Sequence, residues 1–253
     1  MNILLLMAGS SDAFHEAGYI YPKNLIEIQG LPLIQHVIHS VQKSIESLQE
    51  QTIQLICMIR SEENRYSYTG GVINLLASGT QVIEIQGKTT GAACTALLAI
   101  EYINNTEPLI IINGDQILET DLGAVINDFQ VRNLDGGTIV FEAVHPRWSY
   151  IRCNKEGLVV EAAEKRPISN LATAGVYYFA KGQSFVQATM NMIKKDAHVN
   201  GIFYVCPSFN EMLLQQAKIG IYKIPREKYF SLASPKGVEF YEEYLRNKIQ
   251  INI

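Results

Sequence analysis

The chain has 253 residues, of which 47% are hydrophobic and 18% charged, and its formal net charge is −4 at pH 7. This length and apolar content suffice to bury a full core, so one domain is predicted over residues 1–253. The acidic balance argues against a nucleic-acid-binding protein, which presents a basic face. No apolar run approaches the roughly 18 residues that cross a membrane.

The apolar start of the chain is too short for a secretion signal and has no basic residues before it, so a cytoplasmic protein without membrane partners is expected. The cysteines at positions 57, 94, 153 and 206 are scattered and show no C-x-x-C spacing. Free thiols are therefore predicted rather than disulfides or zinc ligands. The histidines have neither zinc-protease nor triad spacing.

The first half of the chain alternates short runs rich in β-branched residues with helical patterns. Strands are predicted at Asn2–Met7, Thr52–Met58, Gln81–Ile85 and Leu109–Ile112, and helices at 33–45 and Gly91–Ile103. This alternation implies parallel pairing with helices on both faces of the sheet.

The second half has more strands and fewer helices between them. The predicted strands are Gly137–Val144, Ser149–Asn154, Leu158–Ala163 and Thr173–Ala180, and the predicted helices are Gly182–Lys195, Ser208–Lys218 and Pro235–Asn247. A mixed or antiparallel extension of the sheet follows from this order.

The first strand runs into Ala8-Gly9-Ser10-Ser11, and Pro22 then presents Lys23. Small residues let backbone N–H groups approach phosphates, and one ammonium can neutralise their charge. A triphosphate site is one interpretation. An ordinary turn with Lys23 as a surface charge is the other, since no phosphate-loop or dinucleotide fingerprint is present.

Two further loops follow predicted strands. Asn113-Gly114-Asp115 places a carboxylate at a strand's carboxyl end, where ligands bind in open α/β sheets and where Mg²⁺ finds oxygen ligands; a plain β-turn is equally compatible. Gln86–Ala93 contains two glycines and small residues at a helix start, which permit a base or ribose to approach. A flexible loop explains that stretch as well.

The segment Glu164-Lys165-Arg166, followed by Ser169, could hold the phosphate and polar head of an acceptor, although a solvated hairpin end would carry the same charges. Trp148 precedes a strand and suits core packing or a ligand platform.

Taken in order, these motifs resemble the sugar-phosphate nucleotidyltransferase superfamily, and within it a branch found in bacterial capsule loci. The matching stretches read MAG-SS-x-x-F-x-x-AGY-x-x-PK-x-LI, then TTGAACTALLA, NGDQ, and EK-x-x-IS-x-x-A-x-x-GVYYF. The resemblance extends from Met1 to about Lys218.

The resemblance implies a Rossmann-like, GT-A-like α/β three-layer sandwich with a mostly parallel mixed sheet and a small antiparallel β extension. It divides the domain into a nucleotide-binding half at about 1–135, an acceptor-binding half at about 136–225 and a C-terminal helix at about 235–247. It also implies Mg²⁺-dependent transfer of a nucleotide from a nucleoside triphosphate to a phosphorylated small-molecule acceptor. A homodimer is left open.

Residue roles follow from the same resemblance. Lys23 and Asp115 would be catalytic, and Asp115 would bind Mg²⁺. The nucleotide would contact Met7, Ala8, Gly9, Ser10, Ser11, Lys23, Gln86, Gly91, Ala92, Ala93 and Asp115. The acceptor would contact Trp148, Glu164, Lys165, Ser169 and Gly175.

The overall pattern is most similar to members that transfer CMP from CTP to phosphoglutamine, giving CDP-glutamine and pyrophosphate for capsule modification. Sugar 1-phosphates and choline phosphate are the alternative acceptors. A glycosyltransferase and a catalytically silent nucleotide-binding protein are alternative functions. Two departures support the silent protein. The arginine of the family's first loop falls at Ala13, with Asp12 beside it. The late metal-binding aspartate of many members falls in the stretch 204–210, where Asn210 offers a neutral oxygen instead.

Overall fold

The computed structural model describes residues 1–48 and 52–251, with side chains only as far as residue 248. The strands are β1 (Asn2–Leu6), β2 (Glu27–Ile28), β3 (Leu31–Pro32), β4 (Gln54–Arg60), β5 (Gln81–Ile85), β6 (Leu109–Asn113), β7 (Gln116–Leu118), β8 (Gly136–Glu142), β9 (Ser149–Cys153), β10 (Val159–Glu164), β11 (Leu171–Phe179), β12 (Ile219–Lys223) and β13 (Tyr229–Ser231). The helices are α1 (Asp12–Glu16), α2 (Leu33–Ser44), α3 (Ser61–Ser67), α4 (Thr69–Leu76), α5 (Ala92–Leu97), α6 (Ile100–Ile103), α7 (Leu122–Val131), α8 (Gly182–Lys194), α9 (Ser208–Leu213) and α10 (Pro235–Ile251).

Four adjacent strands of the main sheet are parallel, in the order β6-β1-β4-β5. Leu6 at the end of β1 lies level with Asn113 on β6 and Met58 on β4. Arg60 at the end of β4 lies level with Ile85 on β5. The carboxyl ends of all four strands therefore meet at one edge of the sheet.

Strand β1 is buried on both faces because helices cover both sides of the sheet. Ile3 and Leu5 belong to one hydrophobic cluster, which also contains residues of α2, α7 and α10. Leu4 belongs to a second cluster with residues of α5, α8 and α9. These two clusters make a three-layer sandwich and explain why β1 reads as a continuous apolar run.

The second half of the chain extends the sheet in mixed directions. β11 is antiparallel to β6 and β8, and β12 pairs in parallel with β8. The antiparallel pair β9–β10 adjoins β11. The predicted α/β class, a Rossmann-like mixed sheet with a small antiparallel extension, is confirmed.

A separate two-stranded ribbon brings the end of the chain back to the carboxyl edge. β13 is antiparallel to β7, with Ser231 opposite Gln116. Helix α10 packs on this ribbon through Phe230 and Tyr244, whose ring centroids are 4.5 Å apart. No helix within the described ranges is long and apolar enough to cross a membrane.

All eight strands predicted from the sequence are observed, with boundaries within two residues. The predicted helix Gly91–Ile103 is wrong in its continuity: it divides into α5 and α6, because tight i to i−3 bonds to Thr95 and Ala96 end the first piece. The predicted helix Ser208–Lys218 ends early, at Leu213. The C-terminal helix instead extends beyond residue 247.

Several elements were not predicted, among them α1, α3, α4, α7, β7, β12 and β13. Helix α7 had a readable signal, since its N-cap Asp121 accepts from the Ala124 N–H at 3.0 Å and buried apolar residues follow at helical spacing. The cysteine prediction is confirmed: all four thiols are free.

Candidate functional site

A cleft of about 600 Å³ opens at the carboxyl edge of the parallel strands. The last residues of these strands line it: Leu6, Arg60, Ile85 and Asn113. Open α/β sheets bind their ligands at this edge. The predicted site residues among its lining are Ala8, Gly9, Ser10, Gly91, Ala92, Asp115, Trp148, Glu164 and Gly175.

A buried lysine forms an ion pair with a carboxylate that lines the cleft. The Lys23 ammonium donates to Asp115 Oδ2 at 2.7 Å, although the two residues are 92 positions apart. The Lys23 side chain is 5% exposed and the Asp115 side chain 25%. A Cβ on Gly9 would lie 2.6 Å from the ammonium nitrogen, so the loop passes closely over this pair and a side chain there would displace the ammonium.

A buried hydrogen-bond network holds the segment that carries Lys23. The Ser11 hydroxyl accepts from the Lys23 N–H at 2.9 Å. The Asn24 amide donates at 2.9 Å both to the Met7 carbonyl and to Glu63 Oε1, and the Thr69 hydroxyl donates to the same carboxylate oxygen at 3.2 Å. The lysine is therefore positioned from both β1 and α3.

Burial raises the pKa of Glu63, and its hydrogen bonds with Asn24 and Thr69 oppose that shift only in part. Desolvation disfavours the ionised carboxylate, which explains the direction. Glu63 was not identified from the sequence, because it lies in Ser61-Glu62-Glu63 at the start of a short helix that had no apolar periodicity.

The stretch 87–92 forms the side of the cleft next to β5, with Gly87, Lys88, Thr89, Gly91 and Ala92 in its lining. Gly91 has φ +123°, and a Cβ there would collide with the backbone of Phe203. The Ala93 N–H donates to the Phe203 carbonyl at 3.1 Å, and the Phe203 N–H to the Thr90 carbonyl at 2.8 Å. These two backbone hydrogen bonds hold the loop against the segment that precedes α9.

The other side of the cleft is lined by polar side chains from the mixed half of the sheet. The Ser149 hydroxyl donates to the carboxylate of Glu164. Burial raises the pKa of Glu164, against the opposing effects of Ser149 and Lys165. The hydroxyls of Thr173 and Tyr177 are hydrogen-bonded at 3.0 Å. Gly175 has φ +64°, and a side chain there would strike Asn113 and Gln116.

Aromatic rings support this second side. Tyr229 stacks on Phe141 with 5.0 Å between centroids and meets Trp148 edge to face at 5.4 Å. The Arg147 guanidinium lies 4.4 Å from the centre of the Trp148 ring and lines the cleft. No ion pair involves Arg147 in the part of the chain that the structure describes.

The remaining predicted residues are not part of the lining: Met7, Ser11, Lys23, Gln86, Ala93, Lys165 and Ser169. The side chains of Met7 and Ala93 are buried in the core. The Ser169 hydroxyl donates to the Ile151 carbonyl at 2.5 Å. The Lys165 ammonium lies 5.1 Å from the ring centre of Tyr204, which does line the cleft.

Several lining residues were not identified from the sequence, notably Arg60, Arg147, Tyr177, Tyr204, Tyr229 and Ser231. Arg60 could have been found, because it comes two residues after the end of a predicted strand, Thr52–Met58, whose carboxyl end lies at the ligand edge. Tyr229 and Ser231 had no local signal: the long-range pairing of β13 with β7 brings them beside Asp115.

The donor atoms of the cleft fit a partly hydrated Mg²⁺. Such an ion takes one or two carboxylates and completes its shell with water and substrate phosphates. Asp115 supplies one carboxylate at the cleft. Across the described residues no group of three or more metal-ligating side chains occurs. Asn210 has another role, since its amide exchanges two hydrogen bonds with the backbone of Ala162, at 2.9 and 2.8 Å.

Sequence comparison assigns the chain to a family. The family model described as "Nucleotidyl transferase" matches residues 4–219. A curated relative, the bifunctional protein GlmU of Methanocaldococcus jannaschii, is 26% identical over 185 residues, which are 72% of this chain and 40% of that protein. The chain thus spans about two fifths of the length of the curated relatives it matches.

Solved structures share the fold. The nucleoside-diphosphate-sugar pyrophosphorylase of Vibrio cholerae RC9 is similar with a TM-score of 0.82 and 22% identity, covering 95% of this chain and 99% of that one. The inositol-1-phosphate CTP transferase of T. maritima has a TM-score of 0.67 and 13% identity, covering 93% and 90%. At identities this low, the structural similarity shows that the fold is shared and nothing more.

Because the pKa of Glu63 is raised in the folded state, the free energy of unfolding is predicted to depend on pH. The folded state holds this proton more tightly than the unfolded state, so the free energy of unfolding should fall as pH rises from 4.5 through the folded-state pKa. Glu63→Gln should remove that contribution. The unfolding free energy of the variant minus that of the wild type should therefore increase with pH.

Urea unfolding between about pH 4.5 and 8 measures this difference. Glu62→Gln is the matched control, because Glu62 is the exposed neighbour on the same helix. If both variants followed the wild-type pH dependence equally, a role for the buried carboxyl of Glu63 would be contradicted.

Proposed function

The chain belongs to the nucleotidyl transferase family, and from this we propose that it transfers CMP from CTP to L-glutamine phosphate, giving CDP-L-glutamine and pyrophosphate. The observation that carries the transferase reaction is the Lys23–Asp115 pair within a cleft that has one wall of small residues and one of polar side chains. Capsule polysaccharide modification, the proposed setting, rests on the sequence resemblance.

The donor would bind along the first wall. Ala8, Gly9, Gly91 and Ala92 have little or no side chain, so a nucleotide can approach the backbone of both loops. CTP as the donor is supported by the sequence resemblance. The inositol-1-phosphate CTP transferase of T. maritima has the same fold.

The acceptor would bind along the second wall. Arg147 and Glu164 both line it and carry opposite charges. A phosphorylated amino acid offers a carboxylate to a guanidinium and an ammonium to a carboxylate, so it would match both groups. A sugar 1-phosphate would instead offer hydroxyls to Glu164, and the fold of the Vibrio cholerae pyrophosphorylase supports that second candidate.

The reaction would be an in-line displacement. An oxygen of the acceptor phosphate attacks the α-phosphorus of the triphosphate, a new P–O bond forms, and the bond to the leaving pyrophosphate breaks. The acceptor phosphate is already anionic near pH 7, so no general base is needed. This agrees with the absence of histidine from the lining residues in the described ranges.

The chain would contribute alignment and charge. Lys23 would turn its ammonium towards the phosphate oxygens on which charge develops. Asp115 would hold Mg²⁺, which when bound supplies further neutralisation of phosphate charge. Glu164 and Trp148 would orient the acceptor, and the backbone at Gly175 would contact it.

A coupled pyrophosphate-release assay tests the proposal. Each of the four nucleoside triphosphates is combined with L-glutamine phosphate, choline phosphate and a set of sugar 1-phosphates. CTP with L-glutamine phosphate should give the largest kcat/KM. Turnover of a sugar 1-phosphate instead would reassign the acceptor. Nucleotide binding without pyrophosphate release from any pair would support a catalytically silent protein.

Lys23→Ala should lower kcat by about 10²- to 10³-fold, the usual loss when one charge-stabilising donor is removed. Thermal unfolding should show that the variant remains folded. Lys195→Ala is the matched control, because Lys195 is also ion-paired, to Glu211 at 2.8 Å, but lies outside the cleft lining. Near-normal pyrophosphate release by Lys23→Ala would contradict the assigned role.

Asp115→Asn should raise the Mg²⁺ concentration that gives half-maximal activity, because a neutral amide binds the ion more weakly than a carboxylate. Activity is measured across a Mg²⁺ titration for both proteins. An unchanged titration midpoint would exclude Asp115 as the metal ligand.

A further inference from the structure

The cations of the cleft are unevenly available to a substrate. The Lys23 ammonium is already hydrogen-bonded to Asp115. Arg60 and Lys88 also line the cleft. Arg60 is the last residue of β4, and Lys88 lies in the loop after β5. No ion pair of either residue exists within residues 1–48 and 52–248. Neither side chain is therefore tied to a carboxylate by an ion pair at this end of the cleft.

The backbone of the N-terminal loop holds Arg60 in place. Arg60 is the last residue of β4 and is partly buried. Its Nε–H donates to the Ala8 carbonyl at 3.0 Å. This bond uses one of the five N–H donors of the guanidinium and leaves the paired terminal nitrogens for a ligand. A guanidinium held in this way is suited to bidentate binding of phosphate.

The N-terminal loop itself carries no such group. Helix α1, which follows the loop, begins with the exposed residues Asp12 and Ala13. The pKa of Asp12 is lowered chiefly by its hydrogen bond with Ser10, and weak burial opposes this shift. The charges of Lys88 and Arg60 also lower it. Arg60 contacts the loop directly through the Ala8 carbonyl, and Lys88 lines the same cleft from the stretch that follows β5.

We propose that Arg60 binds the β- and γ-phosphates of the donor triphosphate, supplying from β4 the guanidinium that the N-terminal loop lacks. This inference rests on the proposed function. The first phosphate would lie at the Lys23–Asp115 pair, on the β6 side of the Ala8–Ser10 loop. Arg60 lies on the β4 side of that loop, where the outer phosphates can extend.

Arg60→Gln tests this role, since glutamine retains an N–H donor for the Ala8 carbonyl but removes the positive charge and the terminal N–H groups proposed to bind phosphate. Calorimetric Kd values for CTP, CDP and CMP are compared between this variant and the wild type. The loss should be about 10- to 100-fold for CTP, as for a charge-assisted hydrogen bond. It should decrease for CDP and be less than about twofold for CMP.

The outcomes separate Arg60's role from the proposed function. Equal losses for CTP and CMP, or no loss for CTP, would overturn the role of Arg60. Failure of the wild type to bind any of the four nucleoside triphosphates would contradict the proposed function itself. Arg152→Gln is the matched control and should bind all three nucleotides as the wild type does. That arginine is paired with Glu161 at 2.6 Å on the β9–β10 hairpin.

Discussion

The main sheet pairs β1 in parallel with both β6 and β4, and Leu6, Asn113 and Met58 lie level at its carboxyl edge. Each of these three strands has side chains buried on both faces of the sheet, so a shift of register would expose buried side chains to water. Because the register is held in this way, segments distant in sequence leave the sheet side by side. The N-terminal loop, Asp115 and Arg60 become neighbours for this reason.

The ion pair with Asp115 offsets the desolvation cost of burying the Lys23 ammonium. An ammonium that is 5% exposed must be paired, because desolvation of an unpaired charge is expensive. The pair leaves little net charge where Asp115 lines the cleft. Cations without an ion pair among the described residues lie on its two sides, with Arg60 and Lys88 on one and Arg147 on the other. Two anionic substrates could thus be attracted towards opposite ends of one cleft.

The two walls of the cleft differ in how they can recognise a ligand. One wall presents backbone at Gly9 and Gly91, because neither residue has a side chain to cover it. The other wall presents large side chains, among them Trp148, Tyr229 and the buried carboxylate of Glu164. Backbone donors suit groups that all nucleotides share, whereas side chains can distinguish one acceptor from another. Acceptor specificity is therefore expected to depend mainly on the second wall.

The sequence by itself determined eight of the nine strands that the structure describes in the main sheet, because a buried strand requires an apolar run and such runs are visible locally. It also indicated the small-residue loops and Asp115, because a loop after a buried strand emerges at the sheet edge. It did not indicate Tyr229, Glu63 or Arg147. Tyr229 reaches the cleft only through the pairing of β13 with β7, and Glu63 contacts the lysine segment only after α3 packs on the sheet. Contacts between distant segments depend on how helices and strands pack together, and only the tertiary structure decides that.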